Sequence, residues 1–287
     1  MCRANASPVI VFFLALASLS AVSSYGGEPA MNPQELVAQH LAALGSAEAR
    51  AAAKTRVVQG SAVYRILVGG GGHLDGKTGL VSDGRKVRWM VKLPQNDYKG
   101  ESVAFDGESV QVAFSNANQS RSPFSSLVSA QDSILRDGLL GGVLSTAWAL
   151  LDVPDRKPKL EYEGLKKVDG RQLHQLRYWP RKGSDMEIRM YFEPETFRHV
   201  KTVYLLSVAN NVGATITESA NLKAQRTTLE ERFSDFKTVD GLNLPTHWNI
   251  QFTRELPNGS TTVSEWDMQE DQIRNNIGID PKNFEVK

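Results

Sequence analysis

The chain has 287 residues, 41% of them hydrophobic and 23% charged, with a formal net charge of +1. This is the composition of an ordinary globular protein, and the charge balance argues against a nucleic acid or another polyanion as the partner. The one cysteine, Cys2, precedes the segment expected to fold. The mature chain is therefore expected to contain no disulfide and no cysteine-based metal site, and no cofactor is predicted.

Residues 1–24 are predicted to be a secretory signal peptide. Arg3 is followed by an apolar run from Val9 to Val22, which is too short to span a bilayer, and Ala21 to Ser23 offer small residues for cleavage. Cys2 stands before the apolar run, whereas a lipid-anchoring cysteine would follow it. We therefore expect export to a bacterial periplasm without a lipid anchor, and a single domain over residues 25–287.

A helix is predicted directly after this segment. Asn32 can cap it, Pro33 suits its first turn, and apolar residues recur at helical spacing from Leu36 to Leu44 before Gly45 ends it. A second short helical piece is expected between Ser46 and Lys54.

Most of the remaining chain alternates apolar and polar residues between turn residues, a pattern typical of antiparallel strands with one buried face. Six Asp-Gly pairs occur, and most separate two such runs, where Asp-Gly favours a tight hairpin. The chain is therefore predicted to be mainly β (α+β), with one large, strongly curved antiparallel sheet. The predicted strands are 56–68, 74–82, 86–93, 101–105, 109–114, three runs between 168 and 206, then 225–236, 244–254 and 261–268.

The pattern changes between Ser122 and Val153, where helical spacing predicts an insert of about 122–153. Its second half, Leu139 to Leu151, is almost uncharged and is predicted to be a short helix that is apolar on all sides. Such a helix must be buried, and it is too short to cross a membrane. Gly141 and Gly142 weaken a helix here and indicate a hinge or a close backbone approach.

One stretch, Gly71 to Thr78, matches the phosphate-loop pattern G-x-x-x-x-G-K-T. A phosphate loop requires a helix that begins at the Lys-Thr pair, whereas a predicted strand follows here. Nucleotide binding is therefore not expected.

No catalytic motif stands out. The five histidines are scattered and are interpreted as solvated or singly hydrogen-bonded, and neither a G-x-S-x-G sequence nor a mature cysteine nucleophile is present. The pairs Glu161/Glu163 and Glu230/Glu231 are interpreted as solvent-facing strand residues. A carboxylate-dependent hydrolase stays open as an alternative, because folding can bring two distant acids together.

Several phrases of the chain resemble the LolA/LolB-like family of periplasmic proteins, the outer-membrane lipoprotein-sorting-like group. The resemblance covers nearly the whole mature chain, and the phrases that carry it are PQELVAQHLAALG, KKVDGRQLHQLRY, MYFEPETFRHVKT, FKTVDGLNLPTHW and IGIDPKNFEVK. The resemblance implies an incomplete barrel covered by helices, with a hydrophobic cavity that shields acyl chains. The insert at 122–153 would then be the lid.

These observations predict a non-catalytic carrier of lipid or lipoprotein acyl chains, with membrane-associated release or acceptor proteins as further partners. A sensor or scaffold that binds a protein partner is the other alternative. The residues predicted to contact the ligand are Trp89, Val91, Leu135, Leu139, Leu140, Val143, Leu144, Trp148, Met190, Phe192 and Trp248.

Overall fold

The computed structural model describes Met1 and residues 31–116, 118–208 and 224–286. The predicted signal peptide lies outside the described residues. From Met31 onward the chain is one compact unit. No helix in these described ranges combines the length and the apolar character needed to cross a membrane.

Twelve antiparallel strands form one sheet with the order β5-β4-β3-β2-β1-β12-β11-β10-β9-β8-β7-β6. The sheet stays open, because β5 and β6 stand at its two ends. The strands are β1 (Thr55–Val68), β2 (His73–Asp83), β3 (Lys86–Lys92), β4 (Gly100–Phe105), β5 (Val110–Val112), β6 (Lys159–Val168), β7 (Arg171–Trp179), β8 (Met186–Phe192), β9 (His199–Val208), β10 (Gln225–Val239), β11 (Leu242–Glu255) and β12 (Thr261–Asn275).

The sheet is strongly curved, as two tryptophans show. Trp89 on β3 and Trp248 on β11 are four strands apart in the sheet, about 19 Å in a flat sheet at ~4.8 Å per strand. Their ring centroids are nevertheless 5.5 Å apart. The predicted fold class, a curved antiparallel sheet with helices, is therefore confirmed.

Four of the six Asp-Gly pairs form hairpin turns, between β2 and β3, β4 and β5, β6 and β7, and β10 and β11. At Asp169-Gly170 the φ angles are 50° and 80°, and at Asp240-Gly241 they are 49° and 77°. Two successive positive φ angles match the right-handed twist of a hairpin. The other two pairs are not hairpin turns, because Asp75-Gly76 lies inside β2 and Asp137-Gly138 lies in the insert, which agrees with the predicted strand 74–82 and insert 122–153.

Two helices precede the sheet. Helix α1 (Pro33–Leu44) is capped by Asn32, whose side chain accepts a hydrogen bond from the backbone of Glu35 at 2.8 Å. Helix α2 (Ala47–Ala52) is capped by Ser46 in the same way. Both helices occur where the sequence predicts them, and α1 buries Leu36, Val37, His40 and Leu44.

The edge strand β6 contains a bulge. Tyr162 pairs with Leu176 and Leu165 pairs with His174, so β6 has one extra residue between these pairs. Gly164 lies in this bulge with a φ of 84°.

The insert between β5 and β6 consists of short pieces: α3 (Pro123–Ala130), α4 (Ser133–Arg136), 3-10 turns at Gly142–Leu144 and Ala149–Asp152, and α5 (Val153–Arg156). The prediction of one helix over Leu139 to Leu151 is wrong. Gly138, Gly141 and Gly142 have φ angles of 66°, 81° and 49°, which reverse the chain direction instead of continuing a helix. A Cβ on Gly138 would lie 1.7 Å from the carbonyl oxygen of Ala147, so the turn requires glycine.

Candidate functional site

The concave face of the sheet is the candidate site, and the insert occupies its middle. The insert begins beside a buried carboxylate, Glu101 on β4, which is 3% exposed. Glu101 accepts hydrogen bonds from the hydroxyls of Tyr98 at 2.8 Å and Ser125 at 2.6 Å. Burial raises its pKa, although these hydrogen bonds oppose the shift. The start of α3 is therefore fixed to β4 by a polar contact inside the protein.

A second buried carboxylate holds the turn of the insert. Glu231 on β10 accepts hydrogen bonds from the backbone nitrogen of Gly141 at 2.8 Å, the Tyr204 hydroxyl at 2.6 Å and the Trp248 indole at 3.1 Å. It is completely buried, and this burial raises its pKa from 4.5 to about 7. The carboxyl group of Glu231 on β10 thus links β9, β11 and the insert.

A histidine fixes the tryptophan of the insert. The indole nitrogen of Trp148 donates to Nε2 of His40 at 3.0 Å, while Nδ1 of His40 lies 3.0 Å from the carbonyl oxygen of Phe197. His40 is therefore neutral, with its proton on Nδ1. On its other side Trp148 stacks on His199 with ring centroids 4.6 Å apart. Burial lowers the pKa of His40 to about 4 and that of His199 well below its usual value.

Two buried arginines accompany the irregular backbone of the insert. Arg56 donates to the carbonyl oxygen of Val143 at 2.6 Å, and burial lowers its pKa to about 10. Arg156 donates to the carbonyl oxygens of Arg136 and Ala147, each at 2.9 Å. A regular helix would bond such carbonyls to its own amides, so the arginines supply donors that this segment lacks.

A cavity of about 320 Å³ lies at one end of the same face, beside the start of α3. This volume is at the small end of the range for small-molecule sites. Tyr98 contacts both other aromatic residues of the cavity wall. Its ring centroid lies 4.6 Å from that of Tyr64, and its hydroxyl accepts a hydrogen bond from the Trp266 indole at 3.1 Å. The lining residues are Tyr64, Tyr98, Glu101, Ser115, Asn116, Arg121, Ser122, Pro123, Phe124, Phe252, Arg254, Thr262, Ser264 and Trp266.

The eleven residues predicted to contact a ligand all face the concave side and belong to one core cluster. Each is at most 3% exposed. None lines the cavity at the end of the face, and Val143 alone borders a small void of about 10 Å³ near His40. The alternation of the strands thus predicted the inward faces, and the side chains of the insert fill the space between them. Those residues are Trp89, Val91, Leu135, Leu139, Leu140, Val143, Leu144, Trp148, Met190, Phe192 and Trp248.

The interpretation of Glu231 as solvent-facing is wrong, because it is completely buried. A third buried carboxyl group, Glu270, is 3% exposed, and burial raises its pKa to about 8. Glu231 lies opposite Ile250, Ile250 lies opposite Trp266, and Glu270 is four residues beyond Trp266 on β12. Strand geometry then separates the two acids by roughly 15 Å, further than the two carboxylates of a glycosidase.

Three of the histidines are not solvated, since His40, His174 and His199 are 2%, 7% and 1% exposed. His174 and His199 each make one side-chain hydrogen bond, as the interpretation allowed. Within the described residues, histidine, cysteine, aspartate and glutamate side chains form no group of three that could hold a metal ion. The phosphate-loop match has no helix after it, because Lys77 and Thr78 lie inside β2. The structural context that nucleotide binding requires is therefore missing at this site.

The sequence interpretation missed His40, Glu101 and Glu231. A signal existed for two of them. Glu231 alternates with Leu229 and Phe233, so an ionisable group interrupts the apolar face of a strand. His40 stands among the apolar positions of α1. The role of Glu101 depends on Tyr98 and on the distant Ser125, and no local pattern indicates it.

Comparison with protein-family models and with curated proteins gives no match. Among solved structures, a DUF1329 family protein from Desulfovibrio piger is similar at a TM-score of 0.48 and 16% identity, over 89% of this chain and 98% of that chain. A LolA superfamily protein from Nitrosomonas europaea gives 0.42 and 11%, over 89% and 98%. An outer membrane lipoprotein-sorting protein domain from Vibrio parahaemolyticus gives 0.43 and 12%, over 87% and 94%.

Two of these three names are those of the family that the sequence phrases resemble. The similarity extends over most of each chain, but at these TM-scores and identities it does not identify a ligand or a partner.

Proposed function

We propose that this protein is a non-catalytic carrier that shields acyl chains of lipid or lipoprotein on the concave face of its sheet. The observation that carries the proposal is the occupation of this face by a separate segment, uncharged from Leu139 to Leu151, with a cavity left beside it. A sheet that is closed by a second sheet would offer no such removable cover. Burial of an acyl chain is favourable by about 0.8 kcal/mol for each methylene, so a short apolar channel is sufficient for binding.

In this proposal the cavity receives the first part of the chain, and the insert moves to admit the rest. The eleven predicted contact residues then meet the ligand only after the insert has moved. The proposed site of action is the periplasm, with export directed by the predicted signal peptide. Membrane-associated proteins that release or accept the cargo remain proposed partners.

Binding of a fluorescent long-chain fatty acid tests the carrier function. Ser264 lines the cavity from β12, and Ser264→Trp should fill it and weaken binding by about tenfold or more, the loss that ~1.4 kcal/mol of blocked contacts gives. Thr253→Trp is the matched control, because Thr253 follows the inward-facing Phe252 and points to the other face of β11. Absence of binding, or equal binding by both variants, would overturn the proposal.

A cross-link tests the movement of the insert. The backbone nitrogen of Thr146 lies 2.9 Å from the hydroxyl of Ser82, so the insert contacts β2 here, and cysteines at these two positions would join them through a disulfide in a Cys2→Ala background. We expect the oxidised protein to bind the fatty acid more weakly than the reduced protein. Equal affinity would place the ligand in the end cavity alone and would reject the eleven buried residues as contacts.

A further inference from the structure

Exposed large apolar side chains are concentrated at one end of the sheet. In residues 31–116, 118–208 and 224–286 there are six, and four of them share this end: Leu67 and Val68, each 46% exposed, and Phe114 and Val208, each 50% exposed. The other two, Leu165 and Ile277, lie away from it. Single exposed apolar residues are ordinary, but a group at one place is not.

The strand register places this group around the cavity. Val68 at the end of β1 pairs with Val263, and the neighbouring Thr262 pairs with Arg254 at the end of β11. Thr227 on β10 pairs with both Arg254 and Leu206, which is two residues before Val208 on β9. The ends of β1, β12, β11, β10 and β9 therefore lie side by side. Phe114 joins them because it precedes Ser115, a lining residue of the cavity.

Three arginines accompany the apolar group. Arg121 and Arg254 line the cavity, and Arg226 is exposed at the start of β10. Within the described ranges none of the three makes an ion pair, whereas Arg65 pairs with Glu265 and Arg232 with Glu230 further along the sheet. We call Leu67, Val68, Phe114, Val208, Arg121, Arg226 and Arg254 the mouth rim.

The opposite end of the sheet has a different character. Its turns and strand ends present exposed residues of both signs, which include Asp83, Glu108, Glu195 and Asp240 and also Arg85, Arg171 and Lys237. The two ends thus differ in apolar exposure rather than in the sign of their charges.

We propose that the mouth rim docks on an anionic lipid bilayer. Apolar side chains beside arginines are the combination that binds at a membrane interface, because the side chains enter the acyl boundary while the guanidinium groups bind lipid phosphates. Docking rests on the rim alone and does not require the cavity to hold an acyl chain. Combined with the carrier function, it would bring the cavity directly to its source of cargo.

Flotation with vesicles tests this proposal. The full chain should bind vesicles of phosphatidylcholine mixed equally with phosphatidylglycerol more strongly than vesicles of phosphatidylcholine alone. Arg226→Gln should weaken binding about fivefold, the factor that ~1 kcal/mol per cation gives. The double variant Phe114→Ser/Val208→Ser should weaken it by a similar factor or more.

The matched control is Leu165→Ser/Ile277→Ser, which removes two apolar side chains away from the rim that are 50% and 40% exposed. It should bind the vesicles as the unaltered chain does, and any contribution of the apolar run at residues 9–22 is common to all variants. Equal loss in both double variants, or none in either, would overturn the proposal.

A rim double variant that binds vesicles normally but loses a protein partner would assign the rim to protein recognition instead. Fatty-acid binding without vesicles should not change in Val208→Ser, so failure of docking is separable from failure of the carrier function.

Discussion

The middle and the end of the concave face share strand β11, but different groups occupy them. In the middle, Trp148 packs between His40 and His199, and Glu231 binds the turn at Gly141. At the end, Tyr64, Tyr98 and Trp266 border open space, with only the start of α3 on the far side of the cavity. The protein therefore covers one part of an aromatic surface with its own chain and leaves the adjoining part free.

The difference shows what an acyl chain would have to replace. In the middle a guest must displace side chains that are held by hydrogen bonds as well as by packing. At the end it meets preformed aromatic walls. Removal of a side chain should therefore cost more stability in the middle than at the end.

The largest contrast is expected between Trp148→Ala and Tyr64→Ala. Trp148 is completely buried and donates a hydrogen bond to His40. Trp148→Ala removes both the packing and this hydrogen bond, and it should lower the free energy of unfolding by about 3–5 kcal/mol. Tyr64 is only partly buried, and Tyr64→Ala should cost about half as much. Urea unfolding at pH 7 measures both variants. Equal losses would mean that the cavity wall is packed as firmly as the middle.

The backbone of the insert gives a somewhat smaller effect. Gly138→Ala would place a Cβ 1.7 Å from the Ala147 carbonyl oxygen, in addition to the strain of a φ of 66°. Gly183 has a φ of 79°, but no atom lies within 4 Å of the place that a methyl group would take, so Gly183→Ala introduces the strain alone. We expect losses of about 3 and about 1 kcal/mol, respectively. A loss from Gly138→Ala no larger than that of the control would show that the insert can shift without cost.

The pH dependence tests the buried carboxyl groups. The folded protein raises the pKa of Glu231 from 4.5 to about 7 and that of Glu270 from 4.5 to about 8. Their contribution to stability is complete below pH 4.5 and is lost as the pH rises through 7 to 8, at up to about 1.4 kcal/mol for each pKa unit. His40 acts in the opposite direction, because its pKa falls from 6.5 to about 4. Its contribution is complete above pH 6.5 and is lost as the pH falls through 4.

Glu270→Gln and Glu231→Gln should therefore flatten the decline in stability between pH 5 and pH 8.5, by a few kcal/mol at most. Of the two, Glu270→Gln is the cleaner variant, since one oxygen of Glu270 has no hydrogen-bond partner among the described residues. Glu101 is also buried with a raised pKa and is unchanged in both variants, so the part of the pH dependence that it contributes should remain in both. Unfolding midpoints in urea across this range provide the measurement. Variants whose pH profiles coincide with that of the unaltered protein would contradict the assignment.

Much of the sheet can be predicted from local sequence, because alternation and turn residues act over a few positions. Asp169-Gly170 and Asp240-Gly241 define their hairpins, and Met190 and Phe192 show which face is buried. The conformation of the insert cannot be obtained in this way. Its apolar residues suggest a helix, and the positive φ of Gly138 becomes necessary only because Ala147 approaches from elsewhere in the fold.

The candidate site is less predictable than the sheet, for the same reason. The alternation on β10 could have indicated that Glu231 faces the interior. Its partners Gly141, Tyr204 and Trp248 come from three distant positions, so the function of the buried carboxyl group in fixing the insert is visible only in the folded chain. The cavity likewise depends on how far the strands curve, which no short pattern encodes.

The bulge at Gly164 has a consequence for the behaviour of the protein at high concentration. An unclosed sheet ends in a strand whose free amides and carbonyls could recruit the same strand of another molecule and start a growing fibre. On β6 the extra residue interrupts the regular spacing of those groups, and the exposed Lys159, Glu161, Lys166 and Lys167 keep the strand polar. The bulge therefore disfavours pairing along this border in a sheet that stays open to leave room for a guest.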